Sequence, residues 1–217
     1  MRLISALAAV LFLLSSCGPN PRRELSEFEK QTDLYWLFST FEQNYAPLEY
    51  KQNLHGFDYA TLKQQILTEG MNAKTNEDFY LVAHKFVSTF ADAHTSARLT
   101  PAGLPSRSKV AYLGFKGFRE GDALVIEDLL PTYKLSKAST GYPLKKDDRI
   151  LKIDGETLKD FYTKNLRPYH NIGLEEANYT AFFNKIFNRF NLEGPLPKKD
   201  SALLTVKRGT TEFEVEL

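Results

Sequence analysis

The stretch KVAYLGFKGFREGDALVIEDLL, Lys109–Leu130, decides the fold of the second half of the chain. Its two short runs of β-branched and aromatic residues flank the turn sequence REGD, and runs joined in this way predict a β-hairpin. The later stretch DDRILKIDGETL adds a strand, Ile150–Ile153, which ends at the turn signal Asp154-Gly155. The final stretch SALLTVKRGTTEFEVEL alternates as a second hairpin. Residues 105–217 are therefore predicted to form a small β-rich domain.

Helices are predicted to be inserted into this β-rich domain. The segment 157–191 is rich in aromatic residues and Asn and has the length of one or two helices. Its apolar residues are expected to form one buried face: Phe182, Phe183, Ile186, Phe187 and Phe190.

The first half of the chain has a helical pattern over residues 25–100. Apolar residues recur there at three- and four-residue steps, which predicts amphipathic helices. Thr75 with Asp78 forms a capping box at the start of one helix, and Asp58 caps a shorter helix that ends near Gly70. We expect three helices that pack on one another, with the aromatic stripe of the last helix in their core and His84 on its solvated side.

The N-terminus has the pattern of an exported lipoprotein. An early arginine precedes the apolar run Leu3–Leu14, which is too short to span a bilayer. The only cysteine, Cys17, follows LSS as in a bacterial lipobox, so residues 1–16 are predicted to be a signal peptide and Cys17 the acylated residue. The alternative is an ordinary signal peptide with a stray cysteine, although a lone thiol is a liability in an oxidising compartment. Residues 17–24 would tether the fold to a membrane of the bacterial envelope, facing the periplasm or the exterior.

Composition excludes several classes of protein. The 28 basic and 27 acidic residues leave a formal charge of +1, and no long basic block occurs, so we expect no nucleic acid partner. The four His residues are scattered and there is no second cysteine. We therefore expect no metal site, no cofactor and no disulfide within the chain.

Three stretches, in order, resemble the PDZ-like domain of the carboxyl-terminal processing, or tail-specific, serine peptidases: VAYLGFKGFREGDALVIEDLLP, GYPLKKDDRILKIDGE and ALLTVKRGTTEFEVEL. The helical segment that ends in FADAHTSARL, Phe90–Leu99, resembles the helical domain that precedes the PDZ domain in that family. Together these stretches cover nearly all of the chain after the signal. They imply an α+β fold in which a helical bundle at 25–100 is followed by a PDZ-like small β-barrel or sandwich at 105–217, with inserted helices.

The resemblance also implies a peptide-binding site at YLGF, which comprises Tyr112, Leu113, Gly114 and Phe115. A PDZ domain holds an extended peptide as an added strand, and its apolar-Gly-apolar loop directs backbone N–H groups at the terminal carboxylate of that peptide. The expected partners are thus proteins or peptides with free C-termini. A strand with a bulge at Gly114 is the alternative. Asp147 stands where the family has Gly, and Asp tolerates the left-handed conformation that this turn needs.

In one branch of the family a His from the stretch that resembles FADAHTSARL is the general base of a Ser-His-Ser-Glu arrangement. Another branch uses a Ser-Lys pair in a later domain. The resemblance makes His94 a candidate general base. Residue 93 is Ala where the His-dependent branch has Ser, and a structural role for His94 at the end of a helix is the alternative. Asp92 is expected to bond the following loop through Thr95 or Ser96.

The serine nucleophile of the family lies in a domain after the PDZ domain, in a turn rich in Gly, Ser and Ala. The sequence contains no such turn, so we expect these 217 residues alone to be inactive as a peptidase. One hypothesis is the lipid-anchored, substrate-recognition part of a serine peptidase. A second is a non-catalytic lipoprotein adaptor that binds protein tails, and a third is a purely structural envelope protein, for which the sequence has no specific signal.

Overall fold

A computed structural model describes residues 23–97, 109–129 and 143–217 of the chain. The helices are α1 (Glu27–Asn44), α2 (Leu48–His55), α3 (Tyr59–Asn72), α4 (Asn76–Thr89), α5 (Leu158–Asn165), α6 (Glu175–Phe182) and a 3-10 helix (Phe183–Ile186). The strands are β1 (Val110–Tyr112), β2 (Phe115–Glu120), β3 (Ala123–Leu129), β4 (Arg149–Ile153), β5 (Glu156–Thr157), β6 (Asn188–Phe190), β7 (Leu203–Arg208) and β8 (Thr211–Glu216). Helices fill the first range and strands dominate the others, so the predicted α+β class is confirmed.

Residues 23–97 contain four helices, one more than the sequence predicted. The capping box of Thr75 with Asp78 begins α4 and Asp58 caps α3, as expected. The additional helix, α2, buries none of its residues, so no apolar stripe reveals it in the sequence. The other three share one core, made of Leu34, Phe38, Phe41, Tyr59, Leu62, Ile66, Phe79, Phe86, Val87 and Phe90. No helix in the described part of the chain is both long and apolar enough to cross a membrane.

The larger sheet is antiparallel, with the strand order β2-β3-β4-β7-β8 and the short β5 paired to β4. Both predicted hairpins are confirmed, with left-handed glycines in their turns: Gly121 (φ 62°) after β2 and Gly209 (φ 60°) after β7. Asp154 and Gly155 turn the chain between β4 and β5 with φ of 52° and 81°. Asp147 has φ 70°, the left-handed conformation expected of it.

The run KVAYLGFKGF is two strands that belong to different sheets. β1 pairs with β6 in a separate two-stranded sheet, in which Ala111 lies opposite Arg189. β2 begins only after the turn at Gly114 and pairs with β3. Within the described ranges β2 and β8 are the two ends of the larger sheet, which is therefore open and not closed into a barrel.

A second core lies between the larger sheet and the inserted helices, with Phe115, Ile126 and Ile150 from strands among its residues. Phe183, Ile186 and Phe187 are buried in it, as predicted. Phe190 is 38% exposed, so its predicted burial is wrong: it lies on β6 and not on a helix, and the side chains of β6 alternate between exposed and buried.

Contacts join α4 to the segment that follows α5. Ser88 Oγ donates a hydrogen bond to Tyr169 O at 2.7 Å, and the rings of His84 and His170 meet edge-on with their centroids 5.9 Å apart. His84 is half-buried by this segment, so its predicted solvated position is wrong. The predicted domain boundary at 100–105, the signal peptide 1–16 and most of the tether 17–24 lie outside the described residues and stay predictions.

Candidate functional site

The first candidate site is the turn that follows α4, where Asp92 and His94 lie. Ala91, just before them, has φ 47°, and this left-handed conformation costs a non-glycine residue about 1–2 kcal/mol. Two hydrogen bonds hold Ala91 in this conformation. Its N–H donates to Ser88 O at 3.1 Å, and its carbonyl oxygen accepts from Lys51 Nζ at 3.0 Å. The chain thus leaves α4 through a strained residue that its surroundings fix in place.

Asp92 is the centre of the hydrogen bonds in this turn. Its Oδ1 accepts from the backbone N–H of His94 at 2.9 Å, and its Oδ2 accepts from the hydroxyl of Tyr45 at 2.8 Å. The bond from the His94 backbone is the main cause that lowers the pKa of Asp92, partial burial opposes it, and the Tyr45 hydroxyl adds to the lowering. Asp92 is therefore an ionised carboxylate at neutral pH.

The predicted link between Asp92 and Thr95 exists in a different form. Thr95 donates both its backbone N–H and its hydroxyl to the backbone oxygen of Asp92, at 3.1 Å each, and not to the carboxylate. The carboxylate is occupied by His94 and Tyr45 instead. No hydrogen bond between Asp92 and Ser96 occurs in the described residues.

The imidazole of His94 is 96% exposed. Its Nδ1 lies 3.3 Å from Asp92 Oδ1, and within residues 23–97, 109–129 and 143–217 its Nε2 makes no hydrogen bond. A carboxylate at one ring nitrogen and an accessible second nitrogen is the arrangement that orients an imidazole for proton transfer. Because so exposed a ring adds little to packing, the carboxylate of Asp92, and not the ring of His94, holds the end of the helix.

The second candidate site is the turn between β1 and β2, from Tyr112 to Phe115. Gly114 is buried there and has φ 84°. The backbone N–H of Leu113 donates to Phe187 O at 3.2 Å, and the hydroxyl of Tyr112 donates to Phe115 O at 3.0 Å. The ring of Phe115 is 2% exposed and packs against Phe187 with centroids 5.5 Å apart. The second core therefore anchors this turn on both sides of its left-handed glycine.

The strand that leaves this turn is an edge strand. Among the described strands, β2 pairs with β3 alone. The register of β2 against β3 shifts between Lys116 and Gly117, where β3 has one extra residue, Glu127, and not at Gly114 as the alternative interpretation expected. A Cβ on Gly117 would lie 2.1 Å from Val125 O, so only glycine fits next to this shift.

Arg119 connects β2 to α6. Its Nη1 donates to Thr180 Oγ1 at 2.7 Å and to Glu176 Oε1 at 2.5 Å. Its guanidinium also lies over the ring of Tyr179, 4.3 Å from the ring centroid. These contacts fix α6 beside the edge strand.

The structure does not bring the two candidate sites into contact. No hydrogen bond or ring contact joins His94 to the turn at Gly114 in the part of the chain that the structure describes. Cys17 lies outside the described residues. No group of three or more possible metal ligands was found among the residues described.

Sequence reasoning missed the residues that support the turn at His94. Lys51 lies on α2, which has no apolar pattern, and the helical spacing of apolar residues does not reveal the role of the Tyr45 hydroxyl. It also missed Arg189, which is only 8% exposed. Strand alternation in NRF, Asn188–Phe190, was the available signal, because it turns the middle residue of the three inward.

No protein-family model matches the chain, and no curated protein matches it. Among solved structures, the chain is similar to mature CPAF, a Chlamydia serine protease, with a TM-score of 0.61 and 18% identity. It is also similar to mature CPAF complexed with lactacystin, with a TM-score of 0.64 and 18% identity. Each match covers 87% of this chain, which spans about a third of the length of those proteins, 33% and 34%. The chain therefore shares its fold with part of a serine protease.

Proposed function

We propose that this chain is the substrate-recognition part of a serine peptidase that resembles the tail-specific proteases, and that it binds extended peptides along β2. The observation that carries the proposal is the left-handed Gly114 directly before an edge strand. The fold that the chain shares with part of a serine protease supports it.

An extended peptide would add to β2 as a further strand, in the manner of a PDZ domain. The backbone groups of an edge strand on the side away from its neighbour can pair with another chain. Gly114 has no side chain to keep the terminal carboxylate of a peptide away from the backbone at the start of β2. Leu113, half-buried, is the adjacent apolar side chain, so we expect the last residue of a bound peptide to be apolar.

Two glycines at opposite ends of β2 provide a matched test. Gly114 and Gly121 both have left-handed backbones, with φ of 84° and 62°. Alanine strains either position by about 1 kcal/mol, but only Gly114→Ala places a methyl group where the carboxylate would lie. We expect Gly114→Ala to weaken binding of a free-C-terminal peptide at least tenfold in titration calorimetry, and Gly121→Ala to leave it unchanged. Amidation of the peptide should also weaken binding; equal losses in both variants would contradict the proposed site.

In the peptidase, His94 would act as the general base. The support is the orientation of its ring by Asp92, which is itself held by Tyr45, and the strained Ala91 that precedes the turn. With Nδ1 beside a carboxylate, Nε2 would accept the proton of a serine hydroxyl supplied by another part of the protein.

The test of this role uses the native protein that contains these residues, purified from its source cell. His94→Ala should lower the rate of peptide hydrolysis about 10²–10⁴-fold without weakening peptide binding. His55→Ala, at the exposed end of α2, is the matched control and should keep full activity. Peptide binding by a native protein that hydrolyses nothing would favour the adaptor hypothesis instead.

We also propose that acylated Cys17 anchors the protein to the membrane of a bacterial envelope. The support is the lipobox-like LSSC that follows the apolar run Leu3–Leu14. Multiple acyl chains give stable attachment, which one chain does not. Cys17→Ala should move the protein from the membrane fraction to the soluble fraction of cell extracts. The same variant should no longer be labelled by an alkyne fatty acid.

A further inference from the structure

A buried arginine, Arg189, lies on β6 beside β1 and the turn that follows β1. Arg189 is the middle residue of β6, and only 8% of it is exposed, whereas Asn188 and Phe190 on either side are exposed. Its Nη1 donates a long hydrogen bond, 3.3 Å, to Pro195 O, and its guanidinium lies over the ring of Phe161 at 5.3 Å from the centroid. In the described ranges no carboxylate forms an ion pair with it.

This environment does not satisfy a guanidinium. The group carries five N–H donors and a permanent charge, and it is costly to bury without an anionic partner. Burial lowers the pKa of Arg189, and the charge of Asp154 opposes this only in part. Asp154 is itself engaged, because its Oδ1 accepts from the backbone N–H of Leu203 at 3.0 Å. Among the described residues, the one hydrogen bond found for this guanidinium is therefore the bond to Pro195 O.

Arg189 lines a cavity of about 630 Å³, a size that suits a small ligand. One side of the cavity is formed by β1, and its apolar lining includes Phe161, Ile186 and Leu196. The remaining side is the loop from Pro195 to Ala202. The cavity thus combines one buried cation with apolar walls.

We propose that this cavity binds a monovalent carboxylate on an apolar stem, with the carboxylate paired to Arg189. The planar fork of a guanidinium matches a carboxylate with two parallel hydrogen bonds, and the apolar walls would cover the stem. The ligand could be a free acid or the last residue of a peptide, since both offer the same group. The cavity borders the turn at Tyr112 and Leu113, but it goes beyond the proposed addition of a peptide to β2, which does not use Arg189.

The other charges of the lining favour a monoanion over a phosphate dianion. Lys198 and Lys199 add positive charge, but Asp154 and Asp200 also line the cavity, so one net positive charge remains. The two lysines are exposed, where they attract an anion without being desolvated.

The test is titration calorimetry on the 217-residue chain in mild detergent, with N-acetyl-leucine as the probe and its amide as the uncharged analogue. We expect saturable binding of the acid and at least tenfold weaker binding of the amide. Arg189→Met should weaken binding of the acid at least tenfold, and Arg189→Lys should do so less. Arg149→Met is the control: Arg149 lies on β4 in an exposed ion pair with Glu120 and does not line the cavity, so its replacement should change nothing.

The outcomes separate this site from the edge of β2. If Arg189→Met loses binding of N-acetyl-leucine and Gly114→Ala keeps it, the result supports a carboxylate site in the cavity. This conclusion does not depend on the outcome for peptide binding. If the Arg189→Met variant also binds a hexapeptide with a free C-terminus more weakly, the carboxylate that the cavity binds is the end of a peptide. If its affinity for the hexapeptide is unchanged, the ligand is a free acid. If Arg189→Met fails to fold, Arg189→Lys decides. No saturable binding of the acid up to about 10 mM, or equal affinity in the folded variants, overturns the proposal.

Discussion

Asp92, and not His94, determines the conformation of the turn after α4. The carboxylate accepts from Tyr45 and from the backbone of His94, whereas the imidazole is 96% exposed. This separation of roles lets the turn keep its shape while the ring remains accessible to a reacting group. The strained Ala91 lies at the same place, where backbone strain often accompanies function.

Two substitutions in this turn should differ in their effect on stability. Asp92→Ala removes the acceptor of the Tyr45 hydroxyl and the His94 backbone, so we expect the free energy of unfolding to fall by about 1–3 kcal/mol. His94→Ala should change it by less than about 0.5 kcal/mol, because the ring is exposed. Urea denaturation measures both. An equal loss in His94→Ala would mean that the ring has a structural role after all.

At the scale of single elements, the close pairing of β2 with β3 depends on the absence of a side chain at Gly117. Next to the register shift, at which Glu127 of β3 is the extra residue, the α-carbon of Gly117 lies against the backbone of Val125. A side chain at this position has no room to move away, because the atom that it would meet belongs to the neighbouring strand and not to a flexible side chain.

Gly117→Ala should therefore cost far more than a glycine substitution in an open turn. We expect a loss of about 3 kcal/mol or more, since the added Cβ would lie 2.1 Å from Val125 O. Gly209→Ala is the matched comparison, with φ 60° and nothing within 4 Å, and should cost about 1 kcal/mol. Thermal and urea unfolding would give both values, and similar losses would show that the strands move apart freely at the register shift.

Elements that are defined by adjacent residues could be predicted from the sequence. The turns at Asp154-Gly155 and Asp147 and the cap of α4 depend on neighbours only a few residues away, and all were predicted. α2 was not, because it buries nothing and has no periodic pattern. β6 was taken for part of a helix because its partner, β1, lies far earlier in the chain.

At the scale of the whole molecule, the helical bundle and the second core meet at a pair of histidines. His84 from α4 lies edge-on to His170, which stacks on Phe182 with ring centroids 4.7 Å apart. His84 Nδ1 and His170 Nε2 are buried and have no hydrogen-bond partner in the described residues. No local pattern could have shown this contact or the exposure of Nε2 at His94, since both depend on how distant segments pack.

This histidine pair should make stability depend on pH. Burial lowers the pKa of His170 from its ordinary 6.5 to about 4, helped by His84 and Lys185 and opposed by Glu193, and burial also lowers the pKa of His84. Between pH 6.5 and about pH 4 the unfolded chain binds a proton at His170 that the folded chain does not bind. The free energy of unfolding is therefore at its full value above pH 6.5 and falls as the pH drops towards 4.

His170→Phe keeps an aromatic ring on Phe182 but removes the titrating group. Between about pH 7.5 and about pH 5, we expect the variant to lose roughly 2 kcal/mol less stability than the unmodified chain. Urea denaturation at the two pH values measures the difference, with His94→Phe, at a side chain that is 96% exposed, as the control. An unchanged pH dependence would mean that other groups govern acid unfolding.

The measurement that tests the central claim most directly is hydrogen–deuterium exchange of the β2 amides with and without a peptide that has a free, apolar C-terminus. Peptide addition to the edge strand predicts slower exchange within Phe115–Glu120, loss of that protection when the peptide is amidated or Gly114 is replaced by Ala, and little change in α1 to α3. Exchange in β2 that stays the same at saturating peptide would contradict the account.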